Sequence, residues 1–467
     1  MRVQNIKLSL MIAAILALML FVTMRETHLP FSASAKGHSE PSAVTFNKDI
    51  APIIFKNCAS CHRPGEVAPF SLLNYRDTAK RAGQIAAVTK SRYMPPWKAE
   101  PGYGEFHDER RLTDEQIALI QRWAGSGAVE GDPKDLPPMP QFTEGWQLGT
   151  PDLVLKMPHA FTIKAEGPDI YQCFVIPLNL PEDKYISAFE FRPGNRRVVH
   201  HSLLFLDSSG AARKKDEADP EIGFRSFGGP GFLPTGTLGG WAPGAFPHYL
   251  PAGIVKIIKS GSDLVIQNHY HPSGKVETDQ STIGIYFSKT PPQKLARAIP
   301  LIRFDLDIPP GEKLYKTLVS FTTPIDLQAI GITPHMHLLG REMKITAFLP
   351  GGAVQPLIWI KDWDFNWQGQ YLYARPVRLP KGTRLEMEAY YDNSPDNPRN
   401  PNTPPKRVRW GEQTTDEMAL CGVQVVAENQ EELPQLRLAI AQQLRPRLRA
   451  NGASGTFLED WIKQRQQ

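Results

Sequence analysis

Five consecutive residues, CASCH from Cys58 to His62, have the types and the spacing that attach a haem group to a protein. Two cysteines with two residues between them can form thioethers with the haem vinyl groups, and a histidine directly after the second can bind the iron. A redox-active dithiol or a chance pentapeptide is the alternative interpretation. The motif predicts a covalent haem c held by Cys58, Cys61 and His62.

The sixth ligand of such an iron is expected to be a soft side chain about thirty residues further on. The stretch "SRYMPPWK" supplies Met94, where two prolines stiffen the loop and a thioether would raise the haem potential. Met139 and His107 are rival candidates. We expect Met94 to be the ligand.

Six of the twelve histidines occur in three close pairs, each beside an apolar run: His200 and His201, His269 and His271, His335 and His337. A single histidine in a strand is usually a core or surface residue, but three pairs indicate a metal site. Residues two apart on a strand project from one face, so the second and third pairs could each reach one point. The adjacent pair would need a bulge or a strand end.

One methionine, Met418, adds a thioether to the histidines as a candidate metal ligand, and this limits which metals fit. Met418 stands in "TDEMALC", and imidazoles combined with a thioether suit copper as it cycles between Cu(I) and Cu(II). Surroundings poor in carboxylates disfavour Mg, Ca or Mn, and zinc would have little use for Met418. The histidines and Met418 therefore predict copper.

The elements that must position these residues fall into distinct blocks. Helical periodicity and a Thr113-x-x-Gln116 capping box predict an all-α domain over residues 41–140, followed by a proline-rich linker. Short β-rich runs separated by turn residues then predict two β domains, 146–290 and 291–430, of sandwich or jelly-roll type. A helical tail over 431–467 completes the predicted order.

The N-terminus and the composition bear on location and partners. Residues 1–40 contain Arg2 and Lys7 and an apolar run from Leu8 to Met24, which predicts either a cleaved signal peptide or a retained membrane anchor. Both alternatives place the remainder outside the cytoplasm, in the periplasm or exported. A net charge of +5 without a basic stripe gives no reason to expect a nucleic-acid partner.

Two further features leave alternatives open. Cys173 and Cys421 could form a disulfide in an oxidising compartment or remain buried thiols. "DWDFNWQGQYLY" alternates Trp363, Phe365 and Trp367, which favours a core face over an aromatic wall around a substrate.

Residues 146 to 428 resemble the copper type II, ascorbate-dependent monooxygenases, which include the dopamine and peptidylglycine hydroxylases. The resemblance rests on "DIYQCFVIPLNLP", "VVHHSLLF", "LVIQNHYHP", "HMHLLGR" and "TDEMALC", in the family's order and approximate spacing. It implies two tandem jelly-roll domains with one copper in each, facing across a solvent-filled cleft. "HYHP" and "HLLGR" look closer to the dopamine branch.

When the ligand positions of the family are matched to this sequence, the resemblance implies a role for each candidate ligand. His200, His201 and His269 would hold an electron-transfer copper, and His335, His337 and Met418 would hold the copper at which substrate is hydroxylated. His271 would then be a neighbour of the first site. Apart from the resemblance, His248 lies in a long Gly/Pro-rich loop and could approach the first copper, but a surface position is favoured.

The sequence also departs from the peptidylglycine branch of this family. Thr333 stands where that branch has a substrate-binding arginine, and Leu420 and Gly422 replace its Asn and Tyr. A peptidylglycine substrate is therefore not expected. Most of the family's cysteines are also missing.

The sequence thus predicts a small all-α cytochrome c domain followed by two all-β jelly-roll domains. The expected activity is a haem- and copper-dependent monooxygenase acting on a C–H bond with O₂, with the haem feeding electrons to two coppers. The expected partners are O₂, a small-molecule substrate and an external electron donor, either ascorbate or a redox protein. The alternative is an electron-transfer or copper-carrying protein without oxygen chemistry.

Overall fold

The computed structural model describes residues 43–450, except 67, 143, 144, 227, 228, 233, 244 and 412, and gives only the backbone for 445–450. The expected signal peptide or membrane anchor over residues 1–40 and the last part of the expected tail lie outside the described residues. In the part that is described, no helix is both long enough and apolar enough to cross a membrane. The described residues from Val44 to Ala450 belong to one compact unit.

The described residues contain six α-helices and 22 β-strands. The helices are α1 (Ala51–Asn57), α2 (Tyr75–Ala79), α3 (Ala82–Lys90), α4 (Asp114–Gly125), α5 (Ala211–Ala218) and α6 (Leu433–Ala450), and a π-helical turn, Phe46–Ile50, precedes α1. The predicted capping box is present. The backbone N–H of Gln116 donates to the Thr113 hydroxyl, and the backbone N–H of Thr113 donates to the Gln116 side-chain oxygen.

Twelve strands surround a first β core. They are β1 (Leu153–Lys156), β2 (Phe161–Ile163), β3 (Ile170–Pro177), β4 (Lys184–Arg192), β5 (Val199–Asp207), β6 (Phe224–Arg225), β7 (Gly236–Trp241), β8 (Ile254–Ile258), β9 (Asp263–Tyr270), β10 (Glu277–Asp279), β11 (Thr282–Phe287) and β12 (Lys294–Leu295). Two five-stranded sheets, β1-β11-β4-β8-β12 and β6-β3-β9-β5-β7, bury their apolar faces against each other. β9 is central in its sheet and buried along its whole length.

Ten further strands surround a second β core. They are β13 (Arg297–Ile302), β14 (Asp307–Ile308), β15 (Tyr315–Thr322), β16 (Leu327–His335), β17 (Gly340–Phe348), β18 (Val354–Ile360), β19 (Tyr371–Leu379), β20 (Arg384–Tyr391), β21 (Val408–Arg409) and β22 (Leu420–Ala427). The four-stranded sheets β13-β22-β16-β19 and β15-β20-β17-β18 enclose this core. In β15 and β20 buried residues alternate with less buried ones, as expected for strands with one face on a core.

The N-terminal segment does not stand apart from the β structure. After α3 the chain runs along the second β core, where Ala99 bridges Ile360 and Phe106 bridges Tyr373. Both Ala99 and Phe106 are buried in the core that the second group of strands encloses. The stretch between α3 and α4 therefore completes a β core.

The predicted fold class, a small all-α cytochrome c domain ahead of two tandem all-β jelly-roll domains, is wrong. The described residues are mostly β and form no separate all-α domain of cytochrome type. Helical periodicity located the short helices, but it could not show that the stretch between α3 and α4 packs on strands. The domain boundaries proposed from the sequence stay predictions.

Candidate metal centres

His200, His201 and His269 lie on the paired strands β5 and β9. The register of this pair shifts between Val199 and His201, which places one extra residue in β5. A bulge of this kind re-aims side chains that would otherwise alternate between faces. The two adjacent histidines can therefore approach the same point, and the distortion that their adjacency required is present.

The three rings of this first histidine cluster converge through the same ring atom. Nδ1 of His201 lies 3.2 Å from Nδ1 of His200 and 3.2 Å from Nδ1 of His269. One candidate ligand atom from each residue lies within 4.8 Å of the other two. Three imidazole nitrogens at this spacing can share one metal ion.

Asp169 fixes the orientation of His269 from outside the cluster. Its carboxylate accepts a hydrogen bond from Nε2 of His269 at 2.8 Å, which leaves the Nδ1 lone pair directed at the other histidines. Tyr171 stacks on the His269 ring with centroids 4.3 Å apart and planes at 13°. Burial would raise the pKa of Asp169, but hydrogen bonds from His269 and Thr414 outweigh it and hold that pKa below its usual range.

His335 is the last residue of β16, and His337 lies two residues beyond the end of that strand. The two form the second histidine pair, although they do not lie on one strand as the sequence suggested. Their ring centroids are 5.1 Å apart and their planes nearly perpendicular. Nδ1 of His335 contacts Oε1 of Gln368, and Nδ1 of His337 lies 3.1 Å from the backbone oxygen of Asp416. Because Nδ1 is engaged in both rings, Nε2 is the atom that each presents to a metal.

Met418 lies beside this pair through the pairing of β16 with β22. His335 pairs with Leu420, two residues after Met418. The backbone N–H of Met418 donates to Glu417 at 3.1 Å, and its carbonyl accepts from the Tyr391 hydroxyl at 2.7 Å. The backbone of Met418 is thus held beside the strand end that carries His335.

The Glu417 carboxylate joins the two segments of the second site. It is fully buried and accepts backbone N–H groups of His337 at 3.0 Å and Leu339 at 2.6 Å, in addition to that of Met418. Burial raises the pKa of Glu417 to about 8, against the lowering effect of these hydrogen bonds. One side chain therefore sets the position of His337 relative to Met418.

Four of the candidate ligands, His200, His201, His335 and His337, are neutral at physiological pH. Burial lowers the pKa of His200 and of His335 to about 4, and the pKa of His337 to about 3. The pKa of His201 lies well below its usual range, first because of burial and then because of neighbouring histidines that include the second pair. Neutral imidazole is the form that binds a metal ion.

Phe365 stands between the two groups of histidines. Its ring stacks on His200 with centroids 5.1 Å apart and planes at 18°, and it meets His337 edge to face with centroids 5.8 Å apart. The sequence predicted a core face for this segment, yet residues 361–370 connect β18 to β19 and are not a strand. Trp363 is buried in the second core, whereas Phe365 reaches the metal centres.

The Cys58–His62 segment lies at the end of α1. Cys58 and Cys61 are half-buried free thiols, and burial raises the pKa of Cys58 to about 12. Nδ1 of His62 lies 3.2 Å from the Phe70 carbonyl oxygen, which leaves Nε2 for an iron ligand. The donor types and this orientation fit a haem attached through both thiols.

An ion pair joins the segment after this motif to the first β unit. Glu66 accepts from Arg196 at 3.0 Å, and Arg196 lies in the turn just before β5. Arg63 also donates to Glu66, at 2.9 Å. The predicted haem segment is therefore anchored on the turn that leads into the first histidine cluster.

Other residues singled out from the sequence take separate places. Met94 follows α3, with its backbone N–H bonded to the Val88 carbonyl. His271 is exposed and bonds Asp169 at 2.7 Å, outside the cluster. His248 pairs with Asp108 at 3.3 Å instead of approaching the first cluster. Cys173 and Cys421 are free buried thiols in different cores.

Sequence reasoning missed the residues that orient the candidate ligands. Glu417 could have been noticed, since it directly precedes Met418 and the apolar run that follows, where a buried carboxylate needs hydrogen-bond partners. Asp169 and Gln368 gave no such signal, because each lies far along the chain from the histidine it contacts.

Comparison with known proteins gives one distant relative by sequence. No protein-family model matches the chain. MOXD1 homolog 1 of Drosophila melanogaster is 26% identical over 263 residues, which cover 50% of this chain and 37% of that protein. The match therefore spans little more than a third of the relative. It supports the resemblance to copper monooxygenases, while the fusion to a haem segment stays a prediction.

Similarity to solved structures is weak. The major capsid protein P2 of bacteriophage PM2 aligns at a TM-score of 0.23 and 10% identity, covering 59% of this chain and 97% of its own. PNGF-II aligns at a TM-score of 0.26 and 8% identity, covering 59% and 65%. TM-scores this low do not indicate a shared fold.

Proposed function

We propose that the protein is a copper-dependent monooxygenase that hydroxylates a C–H bond of a small molecule with O₂. The observation that carries the proposal is the pair of histidine groups on either side of Phe365, one offering three Nδ1 atoms and the other two Nε2 atoms. The similarity to MOXD1 homolog 1 supports the monooxygenase class.

The residues present fit two coppers. His200, His201 and His269 would hold the first, and His335, His337 and Met418 the second, with neutral imidazoles and a thioether as donors. Bound copper supplies one-electron redox chemistry at each site. Overall, a C–H bond, O₂, two electrons and two protons give an alcohol and water, so each copper accounts for one of the two electrons.

The chain's own residues prepare these sites in different ways. Asp169 accepts a hydrogen bond from Nε2 of His269, which orients the ring so that Nδ1 faces the other two histidines. Glu417 holds the backbone of His337 and Met418 together. Burial keeps His200 and His337 neutral, so neither has to lose a proton before copper binds at pH 7.

The proposal extends to a haem c on Cys58, Cys61 and His62, with Met94 as the expected sixth ligand. The fit of His62, whose Nδ1 is engaged with the Phe70 carbonyl, supports it. The Glu66–Arg196 ion pair favours delivery of electrons to the first histidine cluster. Attachment of haem c requires an exported protein, so we place the protein in the periplasm, with ascorbate or a redox protein as donor.

Metal analysis and oxygen uptake test the proposal. We expect two coppers per chain, and one after the double substitution His200→Ala with His201→Ala. X-ray absorption of the reduced double variant should still show copper–sulfur scattering if Met418 is a ligand. The copper-loaded protein, reduced with ascorbate, should consume oxygen only when a suitable C–H substrate is present.

Two results would contradict the proposal. Absence of copper–sulfur scattering would remove Met418 from the second site. A protein that binds two coppers and exchanges electrons with partner cytochromes, yet consumes no oxygen with any apolar or aromatic amine tried, would be an electron carrier instead.

A further inference from the structure

The space between the two histidine groups is occupied by protein. The resemblance implies a solvent-filled cleft between two copper sites, but here the Phe365 ring contacts a histidine of each group. The ring lies nearly parallel to His200, at 18°, and nearly perpendicular to His337, at 83°. A single side chain therefore spans from one candidate metal centre to the other.

The segment that carries Phe365 is tied to the second histidine pair. Trp363 donates from Nε1 to the His337 carbonyl at 3.2 Å. Gln368 contacts Nδ1 of His335 through Oε1 and donates from Nε2 to the Phe365 carbonyl at 3.0 Å. Phe365 is thus positioned by the same residues that orient the two histidines.

The same segment also reaches the first β unit and the N-terminal segment. Gln370 donates from Nε2 to the Gly240 carbonyl, on β7, at 2.8 Å. Trp367 meets Tyr93, the neighbour of Met94, edge to face with centroids 5.8 Å apart. Contacts on three sides fix the segment where the parts of the molecule meet.

We propose that Phe365 is a positioning residue that sets the separation of the two metal centres and keeps water out of the space between them. This inference rests on the proposed two-copper function. An aromatic ring suits the role because it is rigid, apolar and able to pack against imidazole by both its face and its edge. A substrate of the second site must then approach from a side that Phe365 does not cover.

Pulsed electron paramagnetic resonance on the full chain loaded with Cu(II) tests this directly. The dipolar coupling between the two Cu(II) ions reports their separation and its spread, and deuterium modulation in D₂O reports water close to copper. The unmutated protein should give one narrow separation. Phe365→Ala should broaden and shift it and increase the deuterium signal, while copper stays at two per chain.

Matched variants separate this role from ordinary packing. Phe365→Tyr keeps the ring and should restore the narrow separation, whereas Phe365→Leu fills the space without a ring and should restore it only in part. Phe348→Ala removes another half-buried aromatic, on β17, and should change neither signal. Phe365→Leu carries the test if Phe365→Ala does not fold.

The possible outcomes separate a failure of this inference from a failure of the proposed two-copper function. If two coppers bind and both Phe365→Ala and Phe365→Leu keep the original separation, spread and deuterium signal, the inference is overturned while the proposed function stands. If the unmutated protein binds fewer than two coppers, the proposed function itself fails.

Discussion

At the scale of single residues, the carboxylates decide how the histidines are presented. Asp169 accepts from His269 and Thr414 with one oxygen and from His271 with the other. Glu417 serves the second site through backbone N–H groups instead of imidazoles. Each carboxylate positions a candidate metal ligand but is not itself a candidate ligand. A single substitution can test each of them.

Asp169→Asn should weaken copper binding at the first cluster by about 10- to 100-fold, the usual cost of losing the carboxylate partner of a metal-binding histidine. Competition titration with a chelator would measure the affinity. Asp108→Asn, which removes the partner of His248 outside the cluster, is the control and should leave it unchanged. Equal affinity in Asp169→Asn and the unmutated protein would refute the role of Asp169.

Glu417→Gln should lower the free energy of unfolding by about 1–3 kcal/mol, because the amide group of glutamine would face backbone donors. It should also weaken copper at the second site, since one amide oxygen cannot accept both from the N–H groups of His337 and Met418 and from that of Leu339, which are bonded to different oxygens of Glu417. Urea unfolding and copper analysis measure the two effects. Glu190→Gln, at another buried carboxylate with two backbone donors, should destabilise without releasing copper.

At the scale of elements, β8 carries a half-buried lysine, Lys256, whose contribution to stability depends on pH. Nζ of Lys256 donates to the Leu238 carbonyl on β7, and burial lowers the pKa of Lys256 to about 8 from an ordinary 10.5. Between these values the unfolded chain keeps a proton that the folded chain releases. Stability should therefore rise as pH increases from about 8 to 10.5, by at most about 3 kcal/mol.

Lys256→Met should remove this rise. Urea unfolding across the same pH range, compared with the unmutated protein, isolates the contribution of Lys256 from that of other groups. Lys289→Met, at an exposed lysine, is the control and should keep the rise. An unchanged pH dependence in Lys256→Met would mean that the ammonium group is solvated in the folded protein.

Individual elements also show which structural features could be predicted from the sequence. Two adjacent histidines could share a metal only at a bulge or at a strand end, and β5 has a bulge there. The alternation of Trp363, Phe365 and Trp367 favoured a core face over an aromatic wall. The segment is a connection between strands, and its path is set by contacts with His335 and His337. The spacing of residues along a strand predicts where the strand must bulge. The path of a connecting segment depends instead on contacts with residues distant in sequence.

At the scale of the whole molecule, the N-terminal segment is part of a β core. Phe106 packs against Tyr371 and Tyr373, with centroids 5.1 Å from each. The spacing of apolar residues that located α1 to α4 carries no information about these contacts. A fragment that begins at residue 146 would therefore expose the two tyrosines.

Phe106→Ala should reduce the free energy of unfolding by about 3–5 kcal/mol, as expected for truncating a buried aromatic in a core. The fragment 146–450 should unfold at a lower urea concentration than the full chain. Phe55→Ala, which trims a side chain packed on the apolar cluster between the N-terminal helices, is the control that leaves the β core filled. A fragment as stable as the full chain would show that the N-terminal segment contributes nothing to the β core.

The hydrogen bond from Thr414 to Asp169, 2.7 Å long, joins residues 245 positions apart in the chain. One end orients His269, and the other lies in the turn that leads to Met418. Copper at the first cluster would order Asp169, and through it the turn beside the second site. Linkage is reciprocal, so each copper should tighten the binding of the other. Copper loading should then be cooperative, and Thr414→Val should leave two independent affinities.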